Sequence, residues 1–352
     1  MLLNTNFWKD KKVFITGHSG FKGSWMCLWL ESMGADIAGY SLEPSSSPNL
    51  FSESDVGRNI NNTFADIRDL STLTNAISSF KPEIVIHMAA QPLVRKSYED
   101  PIETFSTNIM GTVNLLDVIR HMDGVKAVVN VTTDKCYENK EWLWAYRENE
   151  PMGGHDPYSS SKACSELVTR AFTKSYYSSL TTALASARAG NVVGGGDWSN
   201  DRLIPDILLA FQEHRPVVIR NPKSTRPWQH VLEPIHGYLL LAEKLYNDGQ
   251  QFSSAWNFGP KDEDSKSVEW ILDEMVSRWG DEAEWVNDTN DNPHEANYLK
   301  LDISKASIKL GWEPKWDLHK TLSHIVSWHK DWLSGVPARE LCIDQINEFI
   351  KS

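Results

Sequence analysis

The segment from Lys12 to Met33 limits the possible folds more than any other part of the chain. Lys12-Val-Phe-Ile-Thr16 is a short apolar run, Gly17-His-Ser-Gly20-Phe-Lys-Gly23 follows it, and an apolar stretch runs from Ser24 to Met33. That order reads as strand, glycine turn and helix. The spacing G-x-x-G-x-x-G differs from the dinucleotide fingerprint G-x-G-x-x-G, but the mechanics carry over. Gly17 turns tightly, Gly20 admits a pyrophosphate, Gly23 lets the helix meet the strand, and the amides that open the helix face the phosphates. His18 and Phe21 lie inside the same turn and join the three glycines as candidate cofactor contacts.

Gly34 ends this helix, and Asp36 to Ser41 reads as a second strand. An acidic residue is expected at its end to hold an adenosine ribose, yet the chain has Tyr40-Ser41-Leu42, with Glu43 slightly late. No arginine follows to accept a 2′-phosphate, so the pattern favours NAD over NADP. Residues 44–58, rich in Ser, Pro and Asn, read as a loop. A third strand ends at Asp66, where Asp66 and Ile67 either meet the adenine or Asp66 caps the next helix. Glu83 to Met88 is a fourth strand, and Ala89 and Ala90 at its end are small enough for a cofactor to approach. His87 reads as a core histidine, with no second histidine at metal spacing. Ile102 to His121 is an amphipathic helix in which Asn108 is expected to anchor backbone in the core. With further strands at 126–132 and 181–189, the alternation is βαβ throughout, which implies an α/β, doubly wound parallel (Rossmann-type) sheet.

Val128 to Lys162 is where chemistry is expected. The β-branched run Val128 to Val131 places Thr132 to Lys135 at a strand's C-terminal edge, where open α/β sheets bind ligands. Pro157 then opens a helix, on which Tyr158 and Lys162 share a face. A free tyrosine titrates near ~10, but an ammonium held at ~4 Å contributes roughly 4 kcal/mol at an effective dielectric of ~20, about three pKa units. On that arithmetic Tyr158 becomes a proton acceptor for an alcohol. Taken alone, a Tyr–Lys pair four apart is common on exposed helices.

The chain's 352 residues leave room for two domains, or for one long α/β unit with an elaboration. No charged-then-apolar leader follows Met1 and no apolar run is long enough to span a bilayer. Cys27, Cys136, Cys164 and Cys342 are scattered, as reduced thiols of a cytoplasmic protein would be. A net charge of -12 argues against nucleic-acid or anionic-membrane partners. An anionic small molecule remains possible where a few arginines gather.

Thr16-Gly17-x-x-Gly20-x-x-Gly23, the strand-end Thr133 and Tyr158-x-x-x-Lys162 together resemble the extended short-chain dehydrogenases/reductases over nearly the whole chain. Gly17 to Gly23, His87 to Arg95, Gly190 to Trp198, Asp201 to Asp206 and Arg226 to Val231 resemble more narrowly the CDP-glucose 4,6-dehydratases within the nucleotide-sugar dehydratase/epimerase group. The resemblance implies a catalytic set of Thr133, Asp134, Lys135, Tyr158 and Lys162, with NAD as cofactor and CDP-glucose as substrate. Tyr158 would deprotonate the C4 hydroxyl while hydride passes to NAD, with Thr133 orienting that hydroxyl and Lys162 holding the nicotinamide ribose. The C4 ketone acidifies C5-H, Asp134 would protonate the departing C6 hydroxyl, and hydride returns to C6, giving a 4-keto-6-deoxy sugar. Other sugar dehydratases place Glu where Lys135 stands, so Lys135 is a C5 base of lowered pKa, a charged enolate stabiliser, or a mere ion-pair partner of Asp134.

Gly194-Gly195-Gly196 reads as backbone shaped around a ligand. Gln91, Asn191, Arg202, Arg220 and Arg226 are the candidate substrate contacts, since forked guanidinium donors match a diphosphate's oxygens. Residues 1–193, with 228–259 returning, are expected to bind the cofactor. Residues 194–227 and 260–352 make a smaller mixed α/β substrate domain. Ile325, Trp328 and Trp332 read as core. The resemblance further implies a homodimer or homotetramer through a helix bundle built from the helices at 102–121 and 158–178, where Ala163, Leu167 and Ala171 form an apolar series. A 4-epimerase of the same fold, or an NAD-binding regulator without chemistry, are the rival readings.

Overall fold

The protein is described here as a computed structural model covering residues 3–199, 201–280, 283–288 and 298–352. Seven strands form one sheet: β1 (Lys12–Thr16), β2 (Asp36–Ser41), β3 (Asn61–Phe64), β4 (Ile84–His87), β5 (Ala127–Val131), β6 (Ala183–Ala189) and, after three strands that lie elsewhere, β10 (Ala255–Phe258). Their order is β10-β6-β5-β4-β1-β2-β3, every neighbouring pair parallel. The order reverses between β1 and β4, so a crevice opens at their C-terminal ends. β1, β4, β5 and β6 are buried almost throughout and apolar in sequence, as strands covered on both faces must be.

The remaining strands lie outside this sheet. β7 (Asn191–Val193), β9 (Thr225–His230) and β11 (Ser265–Ser267) form a three-stranded sheet, and β8 (Val217–Ile219) pairs with β12 (Trp285–Asn287). With the helices Leu203–Gln212, Val268–Trp279 and Leu318–Leu333 they enclose a second core around Ile207, Phe211, Ile271, Met275 and Ile325. Trp328 joins the first core instead, and Trp332 packs at its edge.

Several expectations need adjusting. The segment 44–58 contains a short helix at Leu50–Glu53 and a tighter turn at Val56–Asn59, because Leu50 and Val56 are apolar and buried. The single helix expected over 102–121 is interrupted by a π-helical turn at Ser106–Met110. The cap of the helix after β3 is Asp69, which accepts from the amides of Ser71 and Thr72, and not Asp66. The division of the chain near 260 is also less sharp than expected. The terminal helix Ala338–Lys351 packs on the Phe21–Ser32 helix, and Cys342, Ile346 and Phe349 belong to the first core. Among the described residues no helix is long and apolar enough to cross a membrane, and no group of His, Cys, Asp or Glu could hold a metal ion.

Candidate active site

The glycine turn lies at the point where the strand order reverses. Gly17 has φ of +77°, and a Cβ there would lie 2.7 Å from Ala89 N and from Met88 C, so the turn demands both glycine's conformation and its size. A Cβ on Gly23 would meet Gly17 O at 2.1 Å, which is the close helix–strand approach expected of it. Gly20 starts the Phe21–Ser32 helix with no side-chain cap, so amides of the first turn remain available to an anion. These features fit a dinucleotide pyrophosphate. Ala89 N donates to Thr16 Oγ1 at 3.1 Å, drawing the end of β4 against the turn. His87 is a core residue, between Thr16 Oγ1 at 2.6 Å and Thr112 Oγ1 at 3.2 Å, and burial pushes its pKa down to about 3.

His18 points back into the structure. Its Nε2 is 3.0 Å from Asn62 Oδ1 and its Nδ1 3.0 Å from Ser41 Oγ, and burial pushes its pKa down to about 4. Asn62 Nδ2 is spent on the carbonyls of Gly57 and Ile60, so Oδ1 must accept and the neutral ring carries its proton on Nε2. His18 and Ser41 thus occupy the position where an acidic residue was expected, while Glu43 is exposed beyond the strand. Asp66 pairs with Arg68, Nη2 to Oδ2 at 2.5 Å, and these hydrogen bonds hold its carboxyl below the usual range. Ile67 is buried, and the Phe21 ring packs under the backbone at Gly194.

The strand-end residues meet the Pro157–Ser175 helix. Asp156 caps that helix through Ser159 N, at 2.9 Å, and Pro157 occupies its first turn. Thr133 Oγ1 donates to Asp134 Oδ1 at 3.0 Å. The other carboxylate oxygen, Asp134 Oδ2, is buried without a hydrogen-bond partner. A Cβ on Gly190 would lie 2.6 Å from Pro227 Cγ and 3.2 Å from that oxygen, so only glycine lets the strand end, Pro227 and the carboxyl pack this closely. Burial raises the Asp134 pKa, against the opposing pull of Lys135, Thr133 and Arg226. Lys135 itself is half-buried beside it.

The Tyr158–Lys162 pair departs from expectation. Lys162 Nζ donates to the Val131 carbonyl at 3.0 Å, so the amine is tied to the strand. Burial pushes Tyr158 up to about 12, opposed by its hydrogen bond with Thr133 and by the charge of Arg202. Desolvation penalises a phenolate more than these neighbours favour it. The same effect takes Lys162 down to about 8, with Glu166 opposing.

Of the candidate substrate contacts, Arg202 and Arg226 reach this group by their charge, acting on Tyr158 and on Asp134. Arg202 also pairs with buried Asp197 at 3.1 Å. Asn191 opens β7 opposite Trp228. Arg220 is exposed just beyond the end of β8. Gln91 has its side chain committed locally: Oε1 accepts from Leu93 N at 2.6 Å, and Nε2 donates to Leu93 O and to Thr104 Oγ1. Asn108 anchors backbone as expected, bonding Gln91 N and O and reaching Ser161 Oγ at 2.8 Å. The π turn aims it there.

Two groups escaped the sequence reading. Lys22 is half-buried with Nζ 3.4 Å from Tyr238 Oη, and desolvation together with Arg202 and Lys162 takes its pKa down to about 7. Its place inside the glycine turn was the available signal. Glu166 and Arg188 form a buried pair at 2.7 Å; Glu166 stands four residues beyond Lys162, a spacing that was legible.

The GDP-mannose 4,6 dehydratase family model matches residues 14–325. The CDP-glucose 4,6-dehydratase of Salmonella typhimurium is 57% identical over 339 residues, covering 95% of this chain and 94% of that protein. The dTDP-glucose 4,6-dehydratase of the same organism is 26% identical, covering 92% and 95%. Among solved structures, dTDP-glucose 4,6-dehydratase from Bacillus anthracis, in complex with NAD, superposes with a TM-score of 0.75 at 21% identity, covering 92% of this chain and 98% of that one. UDP-glucose 4-epimerase from Thermotoga maritima, with UDP-glucose, gives 0.78 at 23% identity, covering 92% and 99%. With the family model spanning most of its length and a relative alike from end to end, this chain belongs to the nucleotide-sugar 4,6-dehydratase family.

Proposed function

We propose that the chain dehydrates CDP-glucose to CDP-4-keto-6-deoxyglucose with NAD as a recycled cofactor. The relative at 57% identity supports the substrate. The observation that carries the chemistry is Asp134, a buried carboxyl with one oxygen left without a hydrogen-bond partner and with a pKa that burial raises. Burial favours the protonated form of such a group, from which a proton can pass to a departing hydroxyl.

Gly17, Gly20, Gly23, Phe21, Asp66, Ile67, Ala89 and Ala90 line the cofactor's path, His18 braces the turn from within, and Lys162 and Tyr158 lie at the cofactor's reacting end. NAD, when bound, supplies the hydride acceptor for C4 oxidation and the donor for C6. Tyr158 takes the C4 hydroxyl proton, and Thr133 orients that hydroxyl. A phenol at about 12 is a poor base, so Tyr158 needs a nearby cation; Lys162 provides it on releasing the Val131 carbonyl. Asp134 protonates the C6 oxygen as it leaves, Lys135 either removes the C5 proton or holds the enolate's charge, and a proton returns to C5 as hydride reaches C6. Asn191, Arg202, Arg226 and Arg220 take the diphosphate side. Gln91 shapes the loop above the cofactor.

A 4-epimerase shares Tyr158 and Lys162 but has no leaving hydroxyl to protonate, and a regulator needs no catalytic set. Offering CDP-, dTDP-, UDP- and GDP-glucose with GDP-mannose and following mass separates these readings. Loss of one water from CDP-glucose in clear preference is expected. A product of conserved mass but altered chromatographic retention indicates an epimerase, unaltered substrate a regulator, and preference for another nucleotide moves the substrate. The protein is proposed to be a cytoplasmic homodimer or homotetramer, supported by free cysteines and by the exposed Ile102, Met110 and Leu167.

A further inference from the structure

Glu166 lies one helical turn beyond Lys162, on the face that carries Tyr158 and Lys162. Three turns of this face meet three consecutive residues at the end of β5. Tyr158 hydrogen-bonds Thr133, Lys162 Nζ donates to Val131 O at 3.0 Å, and Thr132 Oγ1 donates to Glu166 Oε1 at 2.5 Å. Glu166 Oε2 accepts from Ser186 Oγ and from Arg188 Nη2, each at 2.7 Å. Arg188 Nη1 continues to Tyr137 Oη at 2.7 Å and to the Glu148 carbonyl at 3.1 Å, and Tyr137 Oη donates to Asn257 Oδ1 of β10. Glu166, Arg188, Thr132 and Ser186 are all buried.

A buried ion pair is costly, and an apolar pair of similar volume holds a helix on a sheet as well or better. A carboxylate does what an apolar side chain cannot: it accepts from the end of β5 and from β6 at once and sets a negative charge one turn from an amine. We infer that Glu166, braced by Arg188, is a positioning residue that fixes the strand end bearing Thr133 and Asp134 and keeps Lys162 an ammonium. This rests on the dehydratase reading only where a rate is measured.

The groups around Lys162 are Glu166 and Tyr158 on its own helix, Cys136 beyond β5, Lys22 from the Phe21–Ser32 helix and His87 from β4. His87 is neutral, and Lys22 carries repelling charge when protonated. Glu166 and Cys136 are the groups that favour the charged amine, against its burial. Removing the Glu166 charge therefore lowers the Lys162 pKa further, and the ammonium is lost at a lower pH.

The test is a side-chain NMR titration of ¹⁵N-lysine-labelled protein, the Lys162 signal being identified from Lys162→Arg. In Glu166→Gln the midpoint is expected to fall by at least about one pH unit, a roughly tenfold loss of ammonium above it. The alkaline limb of kcat should move with it, and Glu166→Asp should return both toward the parent. Glu166→Gln/Arg188→Met, which leaves no lone buried guanidinium, is expected to regain thermal stability but not the midpoint, and it decides the matter if the single variant does not fold. A Lys162 midpoint unchanged in a folded variant, or regained along with stability in the double variant, overturns the inference. If the parent turns over no nucleotide sugar, the functional reading fails, while the titration still decides the role of Glu166.

Discussion

Asp134 and Lys135 are adjacent in sequence but occupy different surroundings: the carboxyl is buried with one oxygen unpartnered, and the lysine is half-buried at the mouth of the same turn. Desolvation governs the first and favours a held proton. If Lys135 acts on the C5 proton or the enolate, as proposed, Lys135→Ala should still form NADH from CDP-glucose in a single turnover. C5-H exchange with solvent deuterium and water elimination should slow by about 100-fold, the range that a positioned acid–base or charged group contributes. Near-native exchange in that variant would show Lys135 to be only an ion-pair partner. The placement of Thr133, Asp134 and Lys162 was legible from residue types at a strand end and on one helix face. The state of Tyr158 was not, because Coulomb attraction alone predicts a lowered pKa, while burial and the tether of Lys162 to Val131 act in the other direction.

The Pro157–Ser175 helix does most to assemble the site. Its start was readable from Pro157, and Asp156 completes it by accepting from Ser159 N at 2.9 Å and from Ser159 Oγ at 2.5 Å. Asp156→Ala should cost about 1 kcal/mol, the usual worth of an N-cap, and Asp156→Asn much less. Urea unfolding of the two variants measures this, and equal midpoints for Asp156→Ala and the parent would remove the cap from the account. Because Tyr158 lies in the first turn, Asp156→Ala should also lower kcat more than it raises KM. The π turn at Ser106–Met110 could not be foreseen from apolar periodicity, which reads the same through one extra residue; it became visible only once Asn108 was placed against Gln91 and Ser161.

At the scale of the molecule, the helices at 101–119 and 157–175 cover one face of the sheet and leave apolar side chains outside. Ile102 is 81% exposed, Met110 49% and Leu167 52%, whereas Ala163 is buried. Of the apolar series expected to face a partner, Leu167 and Ala171 point outward and Ala163 faces inward. Such faces are covered when two copies pair as a four-helix bundle. Light scattering at micromolar concentration should give the mass of a dimer or tetramer, and Leu167→Asp should shift it toward the monomer by burying a carboxylate in the interface. A monomeric parent would reject this assembly.

The sequence by itself determined the parallel sheet and the crevice at its edge, because glycine spacing, buried apolar runs and βαβ alternation are local signals that sheet geometry leaves little freedom to satisfy otherwise. It also marked the strand-end and helix residues of the site. Only the tertiary structure decided the protonation tendencies of Tyr158, Asp134 and Lys22, the inward turn of His18 and Gln91, and the grip of Glu166 on β5. Each depends on desolvation or on partners far away in the chain: Arg188, Asn257 and Tyr238 come from elements that no local spacing connects to Tyr158.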